Sequence, residues 1–239
     1  MAADEEADEL VGRATDRATV DAWVERRRQG EPLAWIVGVH TFCGRELAVV
    51  PGVYVPRAQT EDLARRGARL LPAGGRAADL CCGAGAVAAH LLASVPGAAV
   101  VGTDVDPAAV ACARRNGVAA VTADLADGLR SGRFDLVTAV APYVPSGSIR
   151  LLPADVQRFE PLRALDGGPD GLAVVRRVVA AAARLLRPGG WLVVEVGADQ
   201  DTMLGATLAA AGFGRIGSWH DGDGDLRGME ACLTGAVSF

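Results

Sequence analysis

The 239-residue sequence lacks several features that mark common classes of protein. No uninterrupted apolar run approaches the roughly 20 residues that span a bilayer. The acidic segment 1–6 lacks the positive charge and apolar stretch that begin a secretory signal. The five cysteines show no C-x-x-C spacing for zinc or redox chemistry, and the three histidines share no spacing. These absences predict a soluble, cytoplasmic chain with reduced thiols and no bound metal.

Lysine is absent as well, so arginine supplies all 24 basic side chains. In a chain rich in alanine, glycine and valine this absence indicates a genome-wide bias, and no arginine is assigned a role on its identity alone. The formal net charge of −5 provides no overall field that attracts a phosphate backbone. Nucleic acid is therefore an unfavoured partner.

Residues 1–75 are predicted to form a small N-terminal cap on the rest of the chain. Scattered apolar residues in its first 30 positions fit one or two short amphipathic helices. Apolar and β-branched residues from 34 to 50 fit a β-hairpin, and a helical pattern follows Thr60. Proline and glycine at 72–75 end that helix, which places a domain boundary near residue 75.

Residues 76–239 alternate between strand-like and helix-like stretches. Strands are predicted at 77–82, 98–103, 118–122, 134–140, 191–196, 215–219 and 229–234, and helices at 87–94, 107–116, 172–186 and 202–211. Such alternation is typical of a parallel sheet with helices on both faces. The predicted fold class is therefore α/β, with a doubly wound sheet.

A glycine-rich loop, the segment 79–85 (D-L-C-C-G-A-G), lies between the first of these strands and the helix after it. Glycines there let the backbone approach a ligand, and the helix N-terminus offers N–H donors. A dinucleotide-binding fold uses almost the same loop, and a purely structural tight turn is a further alternative. Asp104, at the end of the second strand, is placed to accept hydrogen bonds from a ribose diol. The combination favours a nucleoside cofactor.

Three further elements narrow the choice of cofactor. Asp79 lies in the strand before the loop, and Asp124-Leu125 follows the third strand. The segment 187–191 (R-P-G-G-W) forms the turn that connects a helix to one of the last strands. Together with the loop, this set resembles class I S-adenosylmethionine-dependent methyltransferases. The resemblance implies a Rossmann-like sheet that is mostly parallel, with an antiparallel last strand.

The same resemblance assigns the cofactor-binding residues. It implies that Asp79 and the backbone of Gly83 and Gly85 line the methionine and ribose side of S-adenosylmethionine. It further implies that Asp104 holds the ribose. It also implies that Asp124, with Leu125 beside it, faces the adenine.

A more specific resemblance is carried by loops that the fold does not demand. Four segments resemble elements of the HemK-type protein glutamine N5-methyltransferases. The family's G-E-P-L-x-Y-I-x-G resembles 30–38 (G-E-P-L-A-W-I-V-G), and its P-R-P-E-T-E resembles 56–61 (P-R-A-Q-T-E). Its F-E-P-x-x-A-L-x-G-G-x-D-G-L resembles 159–172 (F-E-P-L-R-A-L-D-G-G-P-D-G-L), and its E-x-G-x-x-Q resembles 195–200 (E-V-G-A-D-Q). The resemblance spans about residues 30–235. It implies methyl transfer to a nitrogen, with a protein glutamine such as that of a release factor as the substrate.

Thr60 has two explanations. In the family the P-R-P-E-T-E element closes over the amino-acid end of the cofactor, which implies this contact for Thr60. Thr60 also stands directly before a helical run with Glu61 next to it, so a helix cap explains it about as well. Both roles can hold together.

The acceptor side departs from the family at one residue. The family's N-P-P-Y motif aligns with the segment 140–143 (V-A-P-Y), so Val140 stands at the substrate-binding position of the asparagine. In the family the asparagine and a neighbouring backbone carbonyl accept hydrogen bonds from the substrate NH₂, whereas a valine side chain accepts none. An unpaired buried N–H costs about 1–3 kcal/mol. Glutamine methylation by the usual route therefore lacks one orienting contact.

Pro142 and Tyr143 are retained, and we expect them at the catalytic centre, where they shape a narrow slot beside the sulfonium. Tyr143 alternatively plugs the mouth of the pocket. A replacement polar group is expected from Asp155, Gln157 or the substrate-binding candidate Glu160, among which the sequence does not choose.

The leading hypothesis is an S-adenosylmethionine-dependent methyltransferase that acts on a nitrogen or oxygen nucleophile. One alternative keeps the enzyme and changes the substrate to a small molecule of specialised metabolism. A second is a non-catalytic relative that binds the cofactor as a partner or regulatory subunit. A nicotinamide dehydrogenase is the remaining interpretation of the loop, and preference for NADH over S-adenosylhomocysteine would support it.

Overall fold

The N-terminal part of the chain folds into short helices and a β-hairpin. A computed structural model describes residues 3–235, and this part contains α1 (Ala3–Arg13), α2 (Arg17–Arg28), α3 (Leu33–Val37), β1 (Val39–Phe42), β2 (Arg45–Ala48) and α4 (Thr60–Leu70). Asp16 caps α2 because its carboxylate accepts a hydrogen bond from the Thr19 amide at 2.8 Å. The turn of the hairpin passes through Cys43 and Gly44, both with positive φ.

The hairpin begins later than the sequence predicted. Residues 33–37 form helix α3, and the first strand starts at Val39 instead of residue 34. Four of the five residues of α3 are buried, so this run has no polar face whose spacing distinguishes a helix from a strand. The Trp35 indole N–H donates to the Val53 carbonyl at 2.9 Å, which holds α3 against the chain beyond the hairpin.

The main sheet is mostly parallel. Its strands are β3 (Arg76–Leu80), β4 (Ala99–Asp104), β5 (Ala119–Thr122), β6 (Phe134–Ala139), β7 (Leu186–Glu195), β8 (Phe213–His220) and β9 (Leu226–Leu233), in the spatial order β5-β4-β3-β6-β7-β9-β8. The first five strands of this order pair in parallel, and β9 is antiparallel to both of its neighbours. The predicted class I fold with an antiparallel last strand is confirmed. Strand order reverses beside β3, where open α/β sheets bind their ligands.

Helices cover both faces of this sheet. They include α5 (Ala86–Ser94), α6 (Pro107–Arg115), α8 (Ala173–Leu185) and α9 (Gln200–Ala210), whereas α7 (Ala154–Phe159) lies in the segment between β6 and α8. Asp106 caps α6 through the Ala108 amide, and Pro107 occupies the first turn, where a missing N–H costs little. No described helix is long and apolar enough to cross a bilayer.

The segment between β6 and α8 contains short elements that the sequence pattern did not predict. Two 3₁₀ turns, Ser146–Leu151 and Leu162–Ala164, flank helix α7. These elements are only three to six residues long, which is too short for a helical period to appear in the sequence. The segment lies at the carboxyl ends of the strands and supplies part of the cavity wall described below.

Helix α4 shares one apolar core with the main sheet. Leu63 and Ala64 of α4 belong to the same buried cluster as Ala77 of β3 and Leu136 of β6. Gly67 lets the helix approach closely, because an added Cβ would lie 3.3 Å from side-chain carbons of Leu91 and Thr138. The N-terminal part is therefore packed onto the sheet along the length of α4.

Candidate active site

A cavity of about 590 Å³ opens at the carboxyl ends of the central strands. This volume lies within the range of small-molecule sites. Ten of the residues singled out in the sequence line it: Thr60, Asp79, Gly83, Asp104, Asp124, Leu125, Val140, Pro142, Tyr143 and Asp155. The cavity has two halves, a cofactor half around the glycine loop and an acceptor half around Tyr143.

The glycine loop is held by the carboxylate at the end of β4. The amide of Gly83 donates to Asp104 Oδ2 at 2.9 Å, and the amide of Asp106 donates to Oδ1 at the same distance. Burial raises the pKa of Asp104, against the opposing effect of these two donors. A Cβ added at Gly83 would meet no atom within 4 Å, so the loop borders open space.

Gly85 serves packing and does not line the cavity. Its φ is +78°, and a Cβ there would lie 2.9 Å from the Ala113 Cβ of α6. The two glycines of the motif therefore have different physical roles. Gly83 gives access to the cavity, and Gly85 lets α5 start close to α6.

Asp79 is almost fully buried beneath the loop, with 2% of its surface exposed. Its Oδ1 accepts a hydrogen bond from the Thr138 hydroxyl at 2.7 Å. Burial raises the pKa of Asp79 to about 7, although the Thr138 bond acts in the opposite direction. A cationic group placed beside this carboxyl would favour its charged form.

The far end of the cofactor half lies after β5. Asp124 Oδ2 accepts from Arg177 Nη2 at 2.7 Å, and both side chains are about half exposed. Leu125 is buried and adopts a positive φ of 49°. Arg177 is a cavity residue that the sequence analysis did not single out, since an isolated arginine on a helix carries no motif.

The acceptor half is organised around one buried carboxylate, Glu195. Its Oε1 accepts from the Tyr143 hydroxyl at 2.8 Å and from Gln59 Nε2 at 3.1 Å, and its Oε2 accepts from the Thr60 hydroxyl at 2.7 Å. Gln59 Nε2 also donates to the Tyr143 hydroxyl oxygen at 3.0 Å. The network joins the start of α4, the end of β7 and the segment after β6.

This network fixes Tyr143, which was predicted for the acceptor slot, and Thr60, which was predicted to contact the cofactor. Burial and the charge of Glu195 raise the pKa of Tyr143 well above its usual value, so the phenol stays protonated and donates. The side chain of Thr60 makes no capping hydrogen bond at the start of α4, and its hydroxyl donates to Glu195. Helix capping therefore does not explain Thr60.

Glu160 lies behind the wall of the cavity. Its side chain is 1% exposed, and both carboxylate oxygens accept from Arg57 Nη2 at 2.7 Å. Arg57, which does line the cavity, also lies over the Tyr54 ring, 4.8 Å from its centroid. Burial raises the pKa of Tyr54 to about 12. The structure thus places Arg57 and Tyr54 at the position where the sequence analysis expected Glu160.

Two other loop candidates sit differently. Asp155 lines the cavity, whereas Gln157 donates to the Arg150 and Leu152 carbonyls and holds its own segment together. Gln200 fastens the acceptor wall from outside, because its Nε2 donates to the Tyr143 carbonyl at 2.9 Å. Gly171 is required beside it, since a Cβ there would lie 2.2 Å from the same carbonyl oxygen.

Besides Arg177, the sequence analysis missed Arg57, Gln59 and Glu195. A charged residue closing the apolar strand 191–195 is a signal that could have identified Glu195. Gln59 stands where the family element has glutamate, and that difference pointed to the same place. Within residues 3–235, no group of three or more His, Cys, Asp or Glu side chains could hold a metal ion.

Comparison with known proteins agrees with this geometry. Residues 77–159 match a methyltransferase domain. The chain is 22% identical to a 16S rRNA N2 G1207 methyltransferase of Thermus thermophilus, solved with S-adenosylmethionine and guanosine, with a TM-score of 0.59 over 84% of this chain and 46% of that one. The fold and site therefore define a class I S-adenosylmethionine-dependent methyltransferase.

Curated relatives narrow the family. Release factor glutamine methyltransferases of Geobacter sulfurreducens and Rhodospirillum rubrum are 40% and 36% identical over 76% and 95% of this chain, and the matches cover 66% and 71% of those proteins. The 4-amino-L-phenylalanine/4-methylamino-L-phenylalanine methyltransferase of Streptomyces pristinaespiralis is 36% identical over 89% of this chain and 75% of its own length. The chain belongs to the release factor glutamine methyltransferase family. It spans about two thirds of the length of the Geobacter sulfurreducens and Rhodospirillum rubrum proteins.

The residues of the cofactor half fit S-adenosylmethionine. The open space at Gly83 can accommodate a ligand against the backbone, and Asp104 lines the same cavity with a carboxylate that can accept hydrogen bonds from a ribose diol. Within residues 3–235, the hydrogen-bond partners of the buried Asp79 include no cationic side chain, so its carboxyl suits the amino group of the methionine end. When bound, this cofactor supplies a methyl group on a sulfonium, which has a good leaving group.

Proposed function

We propose that this chain methylates the side-chain nitrogen of a glutamine in a protein substrate, and that a release factor is such a substrate. The observation that carries the proposal is the acceptor wall. Tyr143 is fixed from three sides, by Glu195 and Gln59 at its hydroxyl and by Gln200 at its carbonyl. These residues lie in the segments 56–61, 140–143 and 195–200, which align with elements of the glutamine N5-methyltransferase family.

The contribution of the protein is position more than acid or base chemistry. We infer that Pro142 and Tyr143 hold the acceptor nitrogen in line with the methyl group, while Thr60, Asp79, Gly83 and Asp104 hold the cofactor. Such alignment is worth roughly 7–11 kcal/mol of the barrier. A bound S-adenosylmethionine would supply the methyl group, so that the acceptor nitrogen would gain a C–N bond as the C–S bond breaks and would lose its proton to water.

We further infer that residues 1–75 act as a cap that closes the site of a methyltransferase domain at 76–239. Thr60 and Gln59 reach the acceptor half from the start of α4, and Arg57 joins the segment after β6 through Glu160. Removal of the cap would therefore take away one wall of the cavity. We also assign the reaction to the cytoplasm, where release factors act on ribosomes.

The direct test is methyl transfer to a release factor. The full chain is incubated with methyl-labelled S-adenosylmethionine and an unmodified bacterial release factor, and the product is read by peptide mass spectrometry. We expect one methyl group on the glutamine of the Gly-Gly-Gln loop.

The substitution Val140→Asn is expected to raise kcat, by up to about tenfold, because one more hydrogen-bond acceptor orients the substrate amide. If neither the unmodified chain nor the Val140→Asn variant transfers label to the release factor, the proposal is wrong.

A second candidate is supported by one side chain. Val140 gives the acceptor half an apolar wall with no side-chain acceptor, and an aromatic amine needs less activation than an amide. One relative, 36% identical, is named for methylating 4-amino-L-phenylalanine. Methylation of this amine but not of the release factor, with Val140→Asn lowering the rate, would establish the small-molecule function.

A further inference from the structure

The acceptor half has a polar atom whose role the network above leaves open. An acceptor nitrogen carries at least one N–H that must be oriented toward a hydrogen-bond acceptor as it approaches the methyl group. Val140 offers only its backbone carbonyl. The wall therefore needs another acceptor atom for full orientation.

The orientation of the Gln59 amide is fixed by its partners. A carboxylate can only accept, so the atom that faces Glu195 Oε1 at 3.1 Å must be the Nε2 donor. The same NH₂ donates to the Tyr143 hydroxyl oxygen at 3.0 Å, which uses both of its hydrogens. The carbonyl oxygen Oε1 consequently points away from Glu195.

This carbonyl is available. Gln59 lines the cavity and is partly exposed, and its Oε1 accepts no hydrogen bond in the part of the chain that the structure describes. Val140 and Tyr143 line the same cavity. Gln59, whose NH₂ is held by the buried Glu195 carboxylate, thus has an amide oxygen free to accept in the cavity whose Val140 wall has no side-chain acceptor.

We propose that Gln59 Oε1 accepts a hydrogen bond from the N–H of the methyl acceptor and takes over the task that an asparagine at position 140 would perform. Glu195 is the positioning residue that fixes which face of the Gln59 amide is presented. The assignment rests on the proposed function, since it concerns the same nitrogen acceptor. It names Gln59 as a specificity-determining residue.

The test is a double-mutant cycle with Gln59→Met, which keeps the length of the side chain and removes its carbonyl, and Val140→Asn. The acceptors are the release factor and 4-amino-L-phenylalanine. Gln59→Met is expected to lower kcat on the methylated acceptor roughly 5- to 150-fold and to leave the KM for S-adenosylmethionine unchanged. Gln29→Met, the same change at the exposed end of α2, is expected to leave both values unchanged.

The rescue arm separates substrate contact from structural support. Val140→Asn is expected to raise kcat by on the order of tenfold more in the Gln59→Met chain than in the unmodified chain, because each residue then replaces the other. Equal gains in both backgrounds, or a change confined to the KM for the cofactor, would overturn the assignment of Gln59. If the unmodified chain methylates neither acceptor, the proposed function fails and the assignment fails with it.

Discussion

The two halves of the cavity are built by different means. The cofactor half is made of backbone and carboxylates at the ends of adjacent strands, within about 45 residues of sequence from Asp79 to Leu125. The acceptor half joins side chains from segments up to 136 residues apart, as in the Gln59–Glu195 bond. The first half follows from sheet topology, whereas the second depends on individual hydrogen bonds. Substitutions should therefore act locally in the first and spread through the network in the second.

The largest expected effect tests the cofactor half. Asp104→Ala removes the acceptor for the Gly83 and Asp106 amides and the carboxylate placed for the ribose. We expect S-adenosylhomocysteine to bind at least about 100-fold more weakly, since hydrogen bonds to a charged group contribute about 1.5–3 kcal/mol each. Isothermal titration calorimetry measures the change. Asp127→Asn, on the exposed surface just outside the cavity, is the matched control.

The next effect tests the spread of damage in the acceptor half. Glu195→Ala leaves Tyr143, Gln59 and Thr60 without their shared acceptor. Because an unsatisfied buried donor costs about 1–3 kcal/mol, we expect the free energy of unfolding to fall by about 2–3 kcal/mol. Urea denaturation measures this loss. Glu195→Gln, which keeps an acceptor oxygen, should lose less, and equal losses would contradict the network.

A pH experiment sharpens the comparison, because the cofactor half holds a buried carboxyl with a strongly raised pKa. The folded-state pKa of Asp79 is about 7, above the unfolded value near 3.9, so the folded chain binds more protons between these values. Stability from this group is then present at low pH and is lost as the pH rises toward 7. Relative to the unmodified chain, Asp79→Asn should gain about 2 kcal/mol in unfolding free energy between pH 5 and pH 8. A pH-independent difference would contradict the raised pKa.

The smallest effect concerns a link across the mouth of the cavity. Arg163 Nη1 lies 3.8 Å from Asp106 Oδ2, and the arginine side chain is 63% exposed. Exposed ion pairs contribute little, so Arg163→Ala should change the unfolding free energy by less than about 0.5 kcal/mol. Thermal denaturation at low and high salt measures it. A loss several times larger would place Arg163 among the structural residues of the acceptor half.

The same comparison explains what the sequence could predict. The sheet and its flanking helices were predicted, because alternating patterns reflect local backbone requirements, and glycine spacing located the loop of the cofactor half. Arg177 of the same half was not predicted, and the predicted Gly85 does not line the cavity. Helix α3 was not, since a short buried run has no period that distinguishes helix from strand. The short turns around α7 were missed for a related reason.

The acceptor half was predicted only in part. Tyr143, Pro142 and Val140 were located by their alignment with the family's N-P-P-Y motif, and they do line the cavity. Glu160 was expected there, but its carboxylate is turned to Arg57, a partner 103 residues away. Partners at such separations follow from the folded geometry, and a single sequence carries no signal for them. The roles assigned to these residues stay predictions until the variants are measured.

Because α4 and the sheet share one apolar core, α4 cannot easily move outward to let ligands enter or leave the cavity. Leu63 is fully buried, and exposing one leucine of this kind costs roughly 1.5–3 kcal/mol before any other contact is lost. An outward swing of α4 would expose several such side chains together. By contrast, Leu151 and Leu162 of the segment after β6 are already 78% and 58% exposed. Opening the site on the side of that segment therefore costs less free energy than moving α4. We expect cofactor entry and product release to use that side while α4 stays in place.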